Sequence, residues 1–573
     1  SYLPAGRGLR MLSFLVQIMA SHLLQAAAMT AVPPIAIPAS DSIPIPAAKL
    51  APYPPMHWHS WNQFSGEATV TDANMREISA SLISTGMVAA GYETINVVCN
   101  GWGARDPVTH RFTENKAKWP TGMKGLGTYL HSKGLQMGCY TAPGKTNCCG
   151  EPGSEGFEAV DMEFFAEIGC DHIMVDWCQK YVNPLESFNA YAKIGAAIAN
   201  SSNPNMLYSI WETGYGKSWK WFKKAGGHFN RIVTDMSNFW EKGCGPDQPG
   251  SVLKNFDTAM SIPNIQSHTE PGHYSFLDNM IVGVTPGGHA ACGPGLSTEE
   301  ARSHFTMWVM AASPLLTNND VRNMPADIKE ILTNPEVLAI HKDPLVAMGY
   351  RIDVGGGVNE PHTTSLDVTH TVWKKPLSDG SVAVMILNRA TMTQNVTVAL
   401  EDVGNPFVTH YTIRDLWART NLSSVPTTTC AGEPTQAGPP CTPGGYQKWH
   451  VNALELEVPA HGVRLLRMTP LAPFNPQPDH PPPDICPAGF TRKAPVDGIW
   501  SNPSPCGVFP LPASCITRDT ENGTLARCGA KCIATAECRA FEVADAADCW
   551  IFVGELKAPF TAYVGCKTCV RDS

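Results

Sequence analysis

Between Met56 and about Pro344, short apolar runs alternate with amphipathic stretches, and that rhythm constrains the fold more than any other feature of the chain. Met75, Ile78 and Leu82 fall on one helical face, and "YETINVV" follows as a strand. Met123, Leu126, Tyr129 and Leu130 make the next helix, ended at Gly134, before the strand "LQMGCY". Val160, Phe164, Phe165 and Ile168 form a third helix, closed by Gly169, which feeds "HIMVD". "NMLYSIWE" and "FNRIVTDM" continue the series. Strands about 25–40 residues apart with helices between them imply right-handed βαβ units and a parallel sheet. Nearly 290 residues of it, without a glycine-rich dinucleotide turn, favour an α/β chain folded as a (β/α)8 TIM barrel over an open doubly wound sheet.

Near residue 346 the rhythm changes. "TVWKKPL", "VAVMILNR", "QNVTVALE", "HYTIRDLW" and "VRLLRMT" are strands separated by turns, so 346–469 is expected to be an antiparallel β-sandwich. Residues 470–485 form a proline-rich, stiff linker. The final segment, 486–573, carries nine of the nineteen cysteines and is expected to be a small module stapled by disulfides. Cys528 and Cys532 lie i, i+4 on an expected helix, while Cys538 and Cys549 open the strands "CRAF" and "CWIF". This pattern resembles a PAN/apple module, a small binding domain, which implies a protein or glycan partner for this end of the chain.

At the other end, Arg7 and Arg10 precede the apolar stretch "MLSFLVQIMASHLLQAAAMTA", which reads over residues 1–32 as a secretory signal, with a proline-rich spacer at 33–55. His22 and Gln25 interrupt the stretch, and a span needs about 20 clean apolar residues, so no membrane span is expected. Sequons at Asn200, Asn395, Asn421 and Asn522 agree with a secreted, extracellular or vacuole-like location. In an oxidising compartment the cysteines favour disulfides over metal or redox chemistry, and Cys430 is expected to pair with Cys441. The chain of 573 residues is too long for one core. A net charge of −9 with no basic block gives nucleic-acid binding no support.

The barrel strands supply the candidate chemistry at their C-terminal ends. "HIMVD" ends in Asp176, "SIWE" in Glu212 and "RIVTD" in Asp235. One such acid is ordinarily a helix cap or a turn. Three at successive strand ends crowd at one mouth and raise one another's pKa, which lets one act as a general acid while another is an ionised nucleophile. That is the requirement for retaining glycoside hydrolysis. Trp58, Trp61, Trp102, Trp177, Trp211 and Trp240 lie at or near the same ends and suit the apolar face of a sugar ring. No histidine accompanies the acids at ligand spacing, so no metal and no cofactor are expected.

Several blocks in order then resemble the α-galactosidase and α-N-acetylgalactosaminidase family, glycoside hydrolase family 27: "MHWHSWNQF", "WPTGMKGLGTYLHSKGLQMGCY", "HIMVDWC", "RIVTDMSNFW", "SHFTMWVMAASPLLTNNDVRNM" and "VAVMILNR". The resemblance covers roughly residues 56–468 and implies a carbohydrate substrate. It implies Asp176 as nucleophile and Asp235 as acid/base. Arg231 and Glu212 would hold the sugar near its 2-position, and Trp58, Tyr140 and Asp278 would line the pocket. It also implies a disulfide from Cys178 to Cys148, or to Cys149 in its place, bracing the nucleophile strand.

The departures from the family pattern lie on one side of the pocket. The second strand of the family ends Asp-Asp-Cys-Trp, whereas this chain reads "INVVCNGW", so Val98, Cys99 or Asn100 stand where the aspartates would grip the 4- and 6-hydroxyls. Met174 stands where the family has a lysine, and "TA", ending in Ala142, replaces Ser-Asp. Altered glycone preference is therefore expected. The alternative is a catalytically weak or inactive carbohydrate-binding or matrix glycoprotein on the same scaffold.

Overall fold

A computed structural model describes residues 47–352 and 369–471, except 65–68, 100, 179–182, 246–249, 287–291, 404–410, 423–424 and 427–451, together with five strands of the last hundred residues. The segments 1–32 and 33–55 are therefore described only from residue 47, and Cys430, Cys441, Asn100, Asn522, Cys528 and Cys532 lie outside the described residues. Among the described residues no helix is long and apolar enough to cross a membrane.

Eight parallel strands form the first sheet: β1 Met56–His59, β2 Thr94–Asn96, β3 Gln136–Thr141, β4 His172–Asp176, β5 Leu207–Trp211, β6 Phe229–Arg231, β7 Tyr274–Phe276 and β8 Leu315–Thr317. They run in chain order from β7 back to β1, and β8 adds beside β1. Just past β7, Met280 bridges in parallel to Thr317 and its N–H donates to the Leu316 carbonyl at 2.8 Å, which brings the two ends together into a TIM-like barrel.

Strand alternation sorts the residues. In β4, Ile173 and Val175 face the helical shell, while Met174 joins an interior cluster with Val98, Cys99, Tyr140, Leu207, Trp211, Phe229 and Phe276. Met75, Ile78 and Leu82 of the helix Asp72–Ser84 are fully buried against the outside of the sheet, as are Met162 and Phe165 of the helix Glu158–Ile168. Each such side chain contributes about 1.5–3 kcal/mol. Thr71 caps the first of these helices by accepting the Asn74 N–H, and Gly169 ends the other in a left-handed turn (φ 86°).

A polar group also lies inside the barrel. His172 Nδ1 lies 3.0 Å from Asn96 Oδ1 and its Nε2 lies 2.8 Å from Ser209 Oγ. Gly138 makes this possible, because a Cβ there would sit 1.7 Å from the Asn96 oxygen.

The second unit pairs a six-stranded antiparallel sheet with a three-stranded one. The larger is ordered β14-β13-β17-β11-β10-β9, from β9 Tyr350–Ile352, β10 His370–Pro376, β11 Val382–Asn388, β13 Tyr411–Asp415, β14 Thr420–Leu422 and β17 Val463–Pro470. The smaller is β12-β16-β15, from β12 Gln394–Ala399, β15 Val425–Pro426 and β16 Asn452–Val458. Val372, Val384, Ile386, Val396, Leu456 and Leu466 fill the space between them. The other face of the larger sheet docks on the barrel: Trp373 meets Phe256 at 4.9 Å, and Arg389 pairs with Asp257.

In the last segment a five-stranded antiparallel sheet runs β18-β22-β20-β21-β19, from β18 Phe490–Arg492, β19 Ile516–Asp519, β20 Cys538–Ala544, β21 Asp548–Val553 and β22 Lys567–Arg571. "CRAF" thus opens β20, and "CWIF" follows Asp548 in β21, which pairs with β20.

Candidate active site

Only Asp176 of the three expected acids is the last residue of its strand. β5 ends at Trp211, one residue before Glu212, and β6 ends at Arg231, four residues before Asp235. Arg231 is the hub. Its side chain points into the barrel mouth, nearly buried, and its Nη1 hydrogen-bonds Asp235 Oδ1. Nη1 also lies 3.5 Å from Asp278 Oδ1, and Nη2 lies 3.8 Å from Asp176 Oδ1. One guanidinium therefore gathers acids from the ends of β4, β6 and β7, a task suited to its planar, always-charged fork. Burial works against the Arg231 charge, but Asp235, Asp278 and Asp176 together hold its pKa above the usual range.

The acids differ in environment. Asp176 Oδ2 accepts the Tyr140 hydroxyl at 3.0 Å, and Oδ1 accepts the Trp177 N–H at 2.8 Å. Burial pushes the pKa of Asp176 up; Arg231 pulls it down, Asp235 pushes it up, and the Tyr140 and Trp177 bonds favour the ionised form. The Asp176 side chain is 17% exposed and that of Asp235 is 56% exposed, so Asp235 is the acid open to solvent. Asp278 is buried and adopts a left-handed backbone (φ 72°). Burial raises its pKa to about 6 against the pull of Arg231, and its Oδ2 accepts the Met236 N–H at 2.6 Å. It thereby ties the segment carrying Asp235 to the end of β7.

Two expected positions need correction. Trp211 pairs in register with Asp176 and shares its inward face, so Glu212, the next residue, turns to the outside. There it is buried and accepts the Ser187 hydroxyl of the helix Pro184–Ala199, and burial raises its pKa to about 9. It is not among the carboxylates that Arg231 pairs with; Asp278 takes that place. Trp58 likewise faces the shell, where its Nε1 donates to the Asn319 carbonyl at 2.9 Å, while Trp61 is the residue packed against the interior cluster.

Among the described residues, another side of the mouth is apolar. Val98, Cys99, Met174 and Trp211 are buried side by side, and the Ser60 hydroxyl holds the Val98 backbone, accepting its N–H at 2.9 Å. The Trp211 ring lies 5.2 Å from the Arg231 guanidinium, and its Nε1 donates to Ser209 Oγ at 3.0 Å. Below it sit His57, His59 and His172, whose pKa values burial lowers, so they are neutral in the folded chain. Strand parity in "MHWHS" is the signal that could have placed His57 and His59 inside.

Two disulfides brace this end. Cys148 pairs with Cys178, and the adjacent Cys149 pairs with Cys99, so one loop is stapled to the ends of both β2 and β4. Cys139–Cys170 and Cys244–Cys292 are also formed. Closing loops of this length contributes roughly 3–4 kcal/mol each by chain entropy. Cys148, Cys178 and Asp176 bring ligand-type atoms within 4.8 Å of one another, but the disulfide occupies both sulfurs and leaves no thiolate for a metal.

Comparison with known proteins agrees with this architecture. Residues 53–343 match the family model described as alpha galactosidase A, and residues 367–438 match the alpha galactosidase C-terminal beta sandwich domain. The alpha-galactosidase A of Cellvibrio japonicus is 36% identical over 342 residues, covering 59% of this chain and 76% of that protein. The alpha-galactosidase of Cyamopsis tetragonoloba is 32% identical over 374 residues, covering 65% and 81%. Among solved structures, alpha-galactosidase I from Mortierella vinacea superposes with a TM-score of 0.60 at 25% identity, covering 73% of this chain and 97% of that one.

Proposed function

The chain belongs to the alpha-galactosidase A family, and from that premise we propose that it is a retaining glycoside hydrolase acting on terminal α-galactosyl groups or a related glycone. The observation that carries this reading is the gathering of Asp176, Asp235 and Asp278 on the single guanidinium of Arg231. In the first step an Asp176 oxygen bonds to the anomeric carbon as the bond to the leaving oxygen breaks, and Asp235 gives that oxygen its proton. In the second step water bonds to the same carbon, Asp235 takes a proton from it, and Asp176 is released. Two inversions return the original configuration. Tyr140 and Trp177 donate to Asp176 and keep it aimed while it is ionised.

The reading extends to specificity. Where the family presents two aspartates and a lysine, this chain presents two of Val98, Cys99 and Asn100, together with Met174, and each missing charged hydrogen bond costs about 1.5–3 kcal/mol. Hydrolysis of a plain α-galactoside is therefore expected to be slow against that of a glycone lacking a 6-hydroxymethyl group. The described disulfides support placing the protein in an oxidising, secreted setting. The test is a panel of aryl glycosides (α-galactoside, α-N-acetylgalactosaminide, β-L-arabinopyranoside, α-glucoside), with the anomer of the first product read by NMR. Turnover with retention is expected on at least one. Turnover with inversion overturns the mechanism, and no turnover on any member favours a binding protein on the same scaffold.

A further inference from the structure

We propose that His461, a residue of the sandwich, is a positioning residue for the barrel segment that carries Asp235; the inference rests on the acid/base reading of Asp235 given above. Asp235 sits on the stretch 232–240 beyond β6, and among the described residues its carboxyl is hydrogen-bonded by Arg231 alone. Proton donation to a leaving oxygen requires that carboxyl to face the glycosidic bond, so its backbone must be fixed from elsewhere. The near end of the segment is fixed by Asp278, through the Met236 N–H, and by Gly250, whose Cα packs so close to the Asp235 carbonyl that a Cβ would lie 2.2 Å from its oxygen. The far end is Trp240, buried, whose carbonyl accepts the Leu253 N–H at 3.0 Å.

Trp240 is covered by the other unit. The His461 ring stacks on it at 5.4 Å and 23° from parallel. His461 lies in the turn between β16 and β17 and has a left-handed backbone (φ 52°), which a non-glycine residue adopts only where its surroundings impose it. Its N–H donates to the Ala390 carbonyl at 3.1 Å, its carbonyl accepts the Ser303 hydroxyl at 2.7 Å, and its Nδ1 lies 2.8 Å from Glu300 Oε1. Glu300 is itself fixed, since its Oε2 accepts the Ser297 N–H at 2.8 Å in the capping box of the helix Thr298–Met310. A chain of contacts therefore runs from a barrel helix cap through a sandwich turn to the segment of Asp235.

Acid assistance matters most when the leaving group is poor, so the readout is leaving-group dependence, which a general loosening of the fold would not change selectively. His461→Asn keeps a residue that tolerates the left-handed backbone but removes the ring. Trp240→Leu removes the other half of the stack and serves if the first variant does not fold. The substrates are the 2,4-dinitrophenyl and methyl glycosides of the glycone that the panel selects. In either folded variant the ratio of kcat/KM for the dinitrophenyl over the methyl glycoside is expected to rise about tenfold above that of the unmodified protein. An unmoved ratio in both variants, with the unmodified protein active on both substrates, overturns the inference alone. An unmodified protein that cleaves neither overturns the acid/base reading and the inference together.

Discussion

The two sides of the barrel mouth are built on opposite principles. On one, Arg231 collects Asp176, Asp235 and Asp278, and a carboxylate receives two hydrogen bonds before any ligand arrives. On the other, Val98, Cys99, Met174 and Trp211 pack as a core would pack. A group that must develop or transfer charge needs preorganised dipoles around it. A group that only recognises a hydroxyl can be exchanged for an apolar one, and on the proposed reading that exchange would change which sugar fits and leave the chemistry in place. Under the proposed function, the contrast would make reaction and recognition separable, strand by strand.

The largest effect should come from the charged side. Asp176→Asn preserves shape but removes the proposed nucleophile, so kcat/KM on the best aryl glycoside should fall by about four orders of magnitude. Its melting temperature should stay within a few degrees of the parent, because the neutral amide no longer has to be desolvated as a charge. A loss of less than tenfold would mean that the charged cluster is an ion-pair network of the fold, and the contrast between the two sides would collapse.

A smaller effect is expected on the apolar side. Cys99 is committed to Cys149 and Asn100 lies outside the described residues, so Val98 is the described position at which a carboxylate can be introduced. Val98→Asp should raise the ratio of kcat/KM for the α-galactoside over the β-L-arabinopyranoside by about tenfold, the worth of one charged hydrogen bond to a hydroxyl. Equal changes on both substrates would show that this side does not touch the part of the sugar in which they differ.

Both sides were legible in the sequence to different depths. The helices over Met75, Ile78 and Leu82 and over Val160 to Ile168 follow from spacing alone, because a 3.6-residue period does not depend on distant partners. Asp176 was visible because an apolar run stopped at an acid. The inward or outward sense of Glu212 and Trp58 was not visible, because period-two parity hinges on the register with neighbouring strands: the Asp176–Trp211 pairing puts Glu212 outside, and the His57 and His59 positions put Trp58 in the shell. The Cys99–Cys149 bridge and the hold of Asp278 on Met236 join loops distant in sequence, and no local pattern announces them.

Glu212 sharpens the contrast from behind, for it is an acid one residue from Trp211 that lies outside the charged side. If that placement holds, Glu212→Gln should change kcat/KM by less than about threefold and act on stability instead. Burial lifts its folded pKa to about 9, while the unfolded chain releases the proton near the ordinary glutamate value of about 4.5. Between those values the unfolded state binds fewer protons than the folded one, so stability falls as pH rises, by up to ~1.4 kcal/mol per unit, and levels off above about 9. Glutamine has no proton to lose. The variant should therefore match the parent near pH 4.5 and melt a few degrees above it at pH 8, with the gap opening steadily between. Asp176 and Asp278 also carry raised values, but they are present in both proteins and cancel in the difference. A gap that does not change with pH would mean that Glu212 is ionised in the folded chain. It would then belong with the charges around Arg231, and the boundary between the two sides would have to be redrawn through β5.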